Sequence, residues 1–74
     1  MTLDQLEIDE SALVKSVNCE PALKNRFYSF GIVKGSKVYV EKVTFTKSTI
    51  EIKINNTKVA LRLTEASKIE VEKC

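Results

Sequence analysis

The sequence predicts a mainly β domain, a small barrel of about five strands with one short helix (about residues 21–30) and short helical turns. Three observations lead to this fold class. Apolar and polar residues alternate along most of the second half of the chain, as in strands with one buried face. Only one stretch, near residue 27, shows the helical period. The 74 residues, 43% of them hydrophobic, suffice for a single domain, residues 1–74.

A turn and a strand are expected first. Leu3 and Leu6 flank a polar segment that Thr2 is suited to cap as a single helical turn. From Ser11 to Val17 valines alternate with polar residues, which favours a strand. In that strand Ala12, Val14 and Ser16 would share one face.

The one helix is expected from Pro21 to Phe30. Proline is tolerated in a first helical turn because its missing N–H would be unpaired there. Leu23, Phe27 and Phe30 recur at helical spacing, which places them on one face. Gly31 offers the left-handed backbone with which many helices end.

Four more strands are expected after Gly31, joined by tight turns. Gly35-Ser36 and Asn55-Asn56 are turn pairs, the second joining a hairpin because asparagine tolerates positive φ. Thr64–Ser67 is typical of one capped helical turn. The predicted strands are Lys37 to about Phe45, Ile50 to Ile54, Lys58 to Leu63, and a short one at Ile69 to Val71.

Five short strands in so short a chain favour a closed or half-closed barrel. Closure removes exposed strand edges, which otherwise pair with other chains. An SH3-like barrel is favoured over an OB-type barrel, because an OB barrel usually needs longer strands.

The residues that most enzymes use are missing. The chain has no histidine, the commonest general base and metal ligand. Its serines lie in no nucleophile motif, and two isolated glycines cannot form a phosphate-binding loop. We therefore expect no enzymatic activity, no catalytic residue, no cofactor and no metal site. The longest apolar run is three residues and the N-terminus is acidic, so a cytosolic location without membrane insertion is expected.

The two cysteines, Cys19 and Cys74, form no CxxC motif. In a cytosolic protein both are expected to be reduced thiols without a chemical role. A Cys19–Cys74 disulfide, or a metal shared across a dimer, is the alternative. A closed zinc site within one chain is excluded because it needs four ligands.

Charge is distributed unevenly, although the net charge is only +2. Residues 21–62 carry nine basic and two acidic residues, whereas residues 1–20 carry one basic and five acidic residues. Most of these bases alternate with apolar positions, so they are expected on solvent-facing sides of strands. A basic face suits an acidic protein partner or, as the alternative, nucleic acid. Tyr28 and Tyr39, expected outside the core, are too few for a strong nucleic-acid prediction but mark a contact surface.

Several short motifs follow one another over nearly the whole chain, about Leu3 to Val71. They are the leading Leu3 and Leu6, RFYSFG at the helix end, Gly31 with Gly35, Ala60-Leu61-Arg62, Glu65-Ala66, and Ile69-x-Val71. In this order and at this length they resemble the ferrous iron transport protein A family, FeoA.

The resemblance implies a free-standing, cytosolic SH3-like domain that regulates ferrous iron uptake. Its partner would be the membrane ferrous iron transporter FeoB, whose GTP-binding domain lies in the cytosol, so the protein would be peripheral to the inner membrane through that partner. The alternative function is that of a nucleic-acid-binding small β-barrel. A weak homodimer is left open.

The helix and the turn after it form the predicted partner-binding surface, with Arg26, Tyr28, Ile32 and Lys34. Arg26 would pair with an acidic group, and Tyr28 and Ile32 would supply apolar area. Two alternatives compete with these roles: Arg26 bonds only within the chain, and Ile32 lies in the core.

Overall fold

The structure, a computed structural model, describes all residues from Met1 to Cys74. A 3-10 turn, Leu3–Gln5, is followed by five antiparallel strands and two helices. The strands form one sheet in the order β4-β3-β2-β1-β5. The strands are β1 Ser11–Val17, β2 Lys37–Thr44, β3 Thr49–Ile54, β4 Thr57–Arg62 and β5 Ile69–Lys73, and the helices are α1 Pro21–Ser29 and α2 Leu63–Ala66.

The single sheet curls around one core. The molecule extends 27 × 25 × 23 Å, nearly equal in all directions, which a flat five-stranded sheet could not do. Every strand sends residues into one cluster of 17 buried side chains, all of them hydrophobic. The predicted mainly β, barrel-like architecture is confirmed.

A bulge changes the face that β1 presents to the core. The strand has the predicted bounds, but its register against β5 shifts between Val14 and Ser16. One extra residue there moves the following side chains to the opposite face. Val17 is therefore buried and Ser16 exposed, the reverse of the strict alternation expected from the sequence.

The β3–β4 hairpin has the predicted two-residue turn. Asn55 and Asn56 both take positive φ, 49° and 65°, as a type I′ turn requires. β4 begins one residue earlier than predicted and ends at Arg62, because Leu63 already belongs to α2.

Helix α1 turns Phe27 into the core, with Leu23 and Phe30 packed partly buried beside it. The helix ends at Ser29, one residue before the predicted end. Gly31, at φ +90°, then reverses the chain, and the Ile32 N–H donates to the Phe27 carbonyl at 3.0 Å. Ile32 is thereby fully buried. The prediction that it supplies apolar area to a surface is wrong, because this reversal directs it into the core.

One edge of the sheet is covered by the N-terminal residues, and the other edge is not paired with any strand. On the outer side of β5, the Val71 N–H donates to the Met1 carbonyl at 2.8 Å, and Thr2 forms a β-bridge with Glu70. The outer side of β4 has no strand beside it. The barrel is therefore half-closed: α2 packs against both β4 and the 3-10 turn, and no strand pairing joins β4 to β5.

Candidate functional site

A shallow basic cleft lies between α1 and the end of β1. Its volume is about 320 Å³. It is lined by Lys15, Ser16, Val17, Asn18, Lys24, Tyr28 and Lys34. Three lysines and no acidic residue line it, so its formal charge favours an anionic group or an acidic segment.

The helix contributes Lys24 and Tyr28, which are four residues apart and therefore lie on the same face. The Lys24 ammonium group lies 5.9 Å from the centre of the Tyr28 ring, within range of a cation–π contact. Tyr28 is 45% exposed, because it lies about 100° around the helix from the buried Phe27. Apolar ring area is thus presented next to positive charge.

The β1 side of the cleft depends on the bulge, beside which Lys15 and Ser16 are both exposed. The Lys15 ammonium group lies 2.9 Å from a carboxylate oxygen of Glu72. The hydrogen bond and the charge of Lys15 lower the pKa of Glu72 below its ordinary value. Lys24 and Lys34 have no carboxylate within 4.0 Å, so these two charges are free to meet a ligand.

The structure separates the four residues predicted to bind a partner. Tyr28 and Lys34 line the basic cleft together, whereas Ile32 is buried. Arg26 does not line the cleft. Its guanidinium lies 2.9 Å from Glu65 on α2 and 5.7 Å from the centre of the Phe30 ring.

The Glu65 carboxylate also accepts the Arg62 backbone N–H at 3.0 Å, so it joins α1, α2 and the end of β4. Glu65 is only 16% exposed, which makes this contact better shielded than an ordinary surface ion pair. The alternative in which Arg26 bonds within the chain is therefore observed.

Sequence reasoning missed Lys15 and Lys24 as members of the site. The spacing between Lys24 and Tyr28 was a usable signal, since it predicts a shared helix face. Lys15 carried no such signal, because its approach to α1 depends on the path of the chain between them.

A model of the FeoA domain matches residues 1–73 of this chain. The chain belongs to the FeoA family. An Fe(2+) transport protein A of Helicobacter pylori (strain J99) is 43% identical over 67 residues, which cover 89% of this chain and 86% of that protein. The predicted resemblance is confirmed, and FeoA proteins are associated with ferrous iron transport rather than known as enzymes.

Solved FeoA structures have the same fold. The solution structure of FeoA from Chlorobium tepidum superposes with a TM-score of 0.92 at 33% identity, covering 99% of this chain and 70% of that one. The zinc complex of FeoA from Stenotrophomonas maltophilia, described as a prokaryotic SH3 domain protein, has a TM-score of 0.85 at 30% identity. It covers 97% of this chain and 89% of that one. The SH3-like barrel predicted from length and strand pattern is confirmed.

This FeoA chain also has an apolar groove of about 410 Å³ between the 3-10 turn and the end of β2. It is lined by Asp4, Leu6, Glu7, Ile8, Val43 and Phe45. Phe45 is 80% and Ile8 51% exposed, so both present apolar surface to solvent. Because β2 ends at Thr44, Phe45 lies in the following turn and not in the strand that was predicted to include it.

The FeoA fold here keeps its potential metal ligands apart. No three Cys, Asp or Glu side chains lie close enough together to hold one metal ion. Both cysteines are free thiols: Cys19 packs half-buried against the core and Cys74 is exposed. No helix has the length and apolar character needed to cross a membrane.

Proposed function

We propose that this protein is a small cytosolic accessory protein of ferrous iron uptake that binds the cytosolic part of the GTP-dependent membrane transporter FeoB. The FeoA domain, which occupies residues 1–73, is the observation that carries this proposal. In this function the protein regulates the transporter without catalysis of its own, and is peripheral to the inner membrane through its partner.

The basic cleft is the proposed docking surface. Lys24 and Lys34 are free of intramolecular ion pairs, so an acidic segment meets their charges without first displacing a carboxylate. Tyr28 supplies half-exposed aromatic area between polar groups. Tyrosine is favoured at the centres of protein interfaces. Arg26, which was predicted to share this surface, instead supports it by holding α1 against α2.

The test is capture of the detergent-solubilised transporter by the tagged 74-residue protein, with and without GTP. A variant with Tyr28→Ala, Lys24→Glu and Lys34→Glu should lose the transporter. The matched control, Lys42→Glu with Lys68→Glu, changes the net charge equally at exposed positions outside the cleft. It should retain the transporter.

The outcomes test the proposed partner and the proposed docking surface separately. If the folded protein retains no transporter in either nucleotide state, the proposed partner is wrong. If the cleft variant retains it as well as the control, the partner stands and the surface is wrong. Dependence on GTP would locate docking on the GTP-binding domain.

Nucleic-acid binding is the second candidate, favoured by three lysines beside an exposed tyrosine, since bases stack on aromatic rings. This function predicts that micromolar protein shifts a labelled oligonucleotide at low salt, with affinity that falls steeply as salt rises. If no shift occurs at low salt, this candidate is eliminated.

A further inference from the structure

The outer edge of β4 is an unpaired row of backbone groups. The two-residue turn at Asn55-Asn56 makes Ile54 and Thr57 the first hydrogen-bonded pair of the hairpin. The backbone groups of Thr57, and of every second residue after it, therefore point toward β3. Those of Lys58, Ala60 and Arg62 point away from the sheet, where no strand lies.

One of these outward N–H groups is already occupied, by a carboxylate. The Arg62 N–H donates to Glu65 at 3.0 Å. The N–H groups of Lys58 and Ala60 have no partner, backbone or side chain, within the protein. At one end of this edge a backbone N–H therefore donates to a carboxylate, and the two N–H donors beside it are free.

The side chains at this edge determine what can pair with it. Lys58, Ala60 and Arg62 are all exposed and point to the outer face of the sheet. If a second copy paired antiparallel about Ala60, Lys58 of each copy would lie opposite Arg62 of the other. Like charges directly opposite each other destabilise a strand pair, so this edge disfavours a second copy of the chain.

We propose that the outer edge of β4 binds an extended acidic segment of another protein as a sixth strand. The segment carries an acidic residue opposite Lys58 and a side chain above the small Ala60, and its pairing ends there because a carboxylate already accepts the N–H of Arg62. Its backbone accepts the free N–H groups of Lys58 and Ala60, as in other cases of strand addition to a sheet edge. None of these three residues lines the basic cleft, so this surface is independent of the proposed docking of the transporter.

Backbone hydrogen exchange on the full-length, isotope-labelled protein provides the first test. In the free protein the amides of Lys58 and Ala60 should exchange rapidly, and those of Val59 and Leu61 slowly. An eight-residue peptide of alternating Glu and Val should slow exchange at Lys58 and Ala60. A peptide of alternating Lys and Val should leave both amides unprotected. If the acidic peptide protects neither amide, the proposal is overturned.

Substitutions separate strand addition from attraction by charge alone. Ala60→Pro removes one outward N–H without removing a bond to β3, and should lower peptide affinity at least about tenfold. Lys58→Glu should lower it about fivefold, because one opposite-charge pair becomes a like-charge pair. Lys53→Glu, at the position paired with Lys58 on the interior strand β3, is the control for overall charge and should change affinity less than twofold. Lys58→Glu also removes an exposed ion pair, since the Lys58 ammonium group lies 3.5 Å from Glu41. Glu41→Gln removes the same pair while keeping Lys58, and it should not lower affinity.

Two other outcomes contradict the proposal. Equal losses in Lys58→Glu and Lys53→Glu would show that the peptide senses only overall charge. Protection of Lys58 and Ala60 that rises with protein concentration, without peptide, would show that a second copy occupies the edge. If Ala60→Pro loses its dispersed amide spectrum, the charge-reversal pair decides alone.

Discussion

Gly31 and Gly35 set the path by which the chain leaves α1. Both have φ near +90°, a region that side chains rarely adopt, and both lie within the segment that carries Ile32 into the core and Lys34 to the cleft. Their surroundings differ. A Cβ at Gly31 would lie 3.3 Å from the side-chain amide of Asn55, whereas a Cβ at Gly35 would meet nothing within 4 Å.

Replacing each glycine by alanine is therefore a test of backbone strain. Gly35→Ala should lower the free energy of unfolding by about 1–2 kcal/mol, through the strained φ alone. Gly31→Ala should cost the same or slightly more, since the end of the Asn55 side chain can shift by a few tenths of an ångström. Urea unfolding of both variants measures this. A loss at Gly31 several times that at Gly35 would show that the Asn55 contact, and not the backbone, dominates.

Glu10 and Lys73 form an ion pair that joins the segment before β1 to β5. The hydrogen bond to Lys73 lowers the pKa of Glu10 below its ordinary 4.5, and the same contact raises the pKa of Lys73 above 10.5. Because the pKa of Glu10 is lowered in the folded protein, the ion pair stabilises the fold fully above about pH 4.5, and this stabilisation is lost as pH falls through the folded-state pKa. Because the pKa of Lys73 is raised, the stabilisation is also lost when pH rises beyond 10.5 and through the folded-state pKa of Lys73.

Glu10→Gln should therefore reduce stability modestly at pH 7 and make no difference below the folded-state pKa of Glu10. The Lys73 side chain is exposed and that of Glu10 is partly exposed, so the effect should also shrink as salt is added. Thermal melts of the two proteins at pH 7 and at about pH 2 measure it, with Glu51→Gln, which has no ion pair, as the control. A difference between wild type and Glu10→Gln that persists undiminished at low pH would contradict this assignment.

Alternation of apolar and polar residues predicted the strands well, and tight turns predicted where they end. The sequence of β3, with three isoleucines at every second position, matches its observed burial residue by residue. β1 differs because its bulge arises from the register with β5, a strand more than 50 residues away. A local pattern reports which residues are apolar, but it does not report where a partner strand shifts by one residue.

The hairpin between β3 and β4 depends on positive φ at both residues of its turn. Asn56→Gly should raise the free energy of unfolding by roughly 0.5 kcal/mol, because the second position of a type I′ turn has positive φ and glycine adopts it without strain. Urea unfolding of the variant measures the change. Asn18→Gly, outside any turn of positive φ, should not stabilise, and an equal gain there would contradict the explanation.

The N-terminal segment completes the barrel. Leu3 and Leu6 are buried in the core while the residues before them cover the outer edge of β5. A chain of this length buries only about 60% of its unfolded surface, so each large core side chain contributes a substantial share of the stability.

Leu3→Ala should therefore cost about 2–5 kcal/mol, enough to populate the unfolded state of so small a domain. Leu13→Ala is the matched control, since Leu13 is 42% exposed and its truncation opens no core cavity. It should cost less than about 1 kcal/mol. Equal losses, measured by urea unfolding, would show that the N-terminal segment is not part of the cooperative core.

Residue types and their spacing were enough to predict the fold class, the strand and helix positions to within one or two residues, the scarcity of catalytic groups and the family. These follow from local periodicity, residue type and the order of motifs, which the chain carries along its length. Only the folded chain shows that Ile32 lies in the core, that Lys15 joins Lys24 and Lys34 around Tyr28, and that β4 has a free edge. Each of these depends on a chain reversal, a bulge or the end of a sheet, where residues distant in sequence meet and local patterns carry no information about the contact.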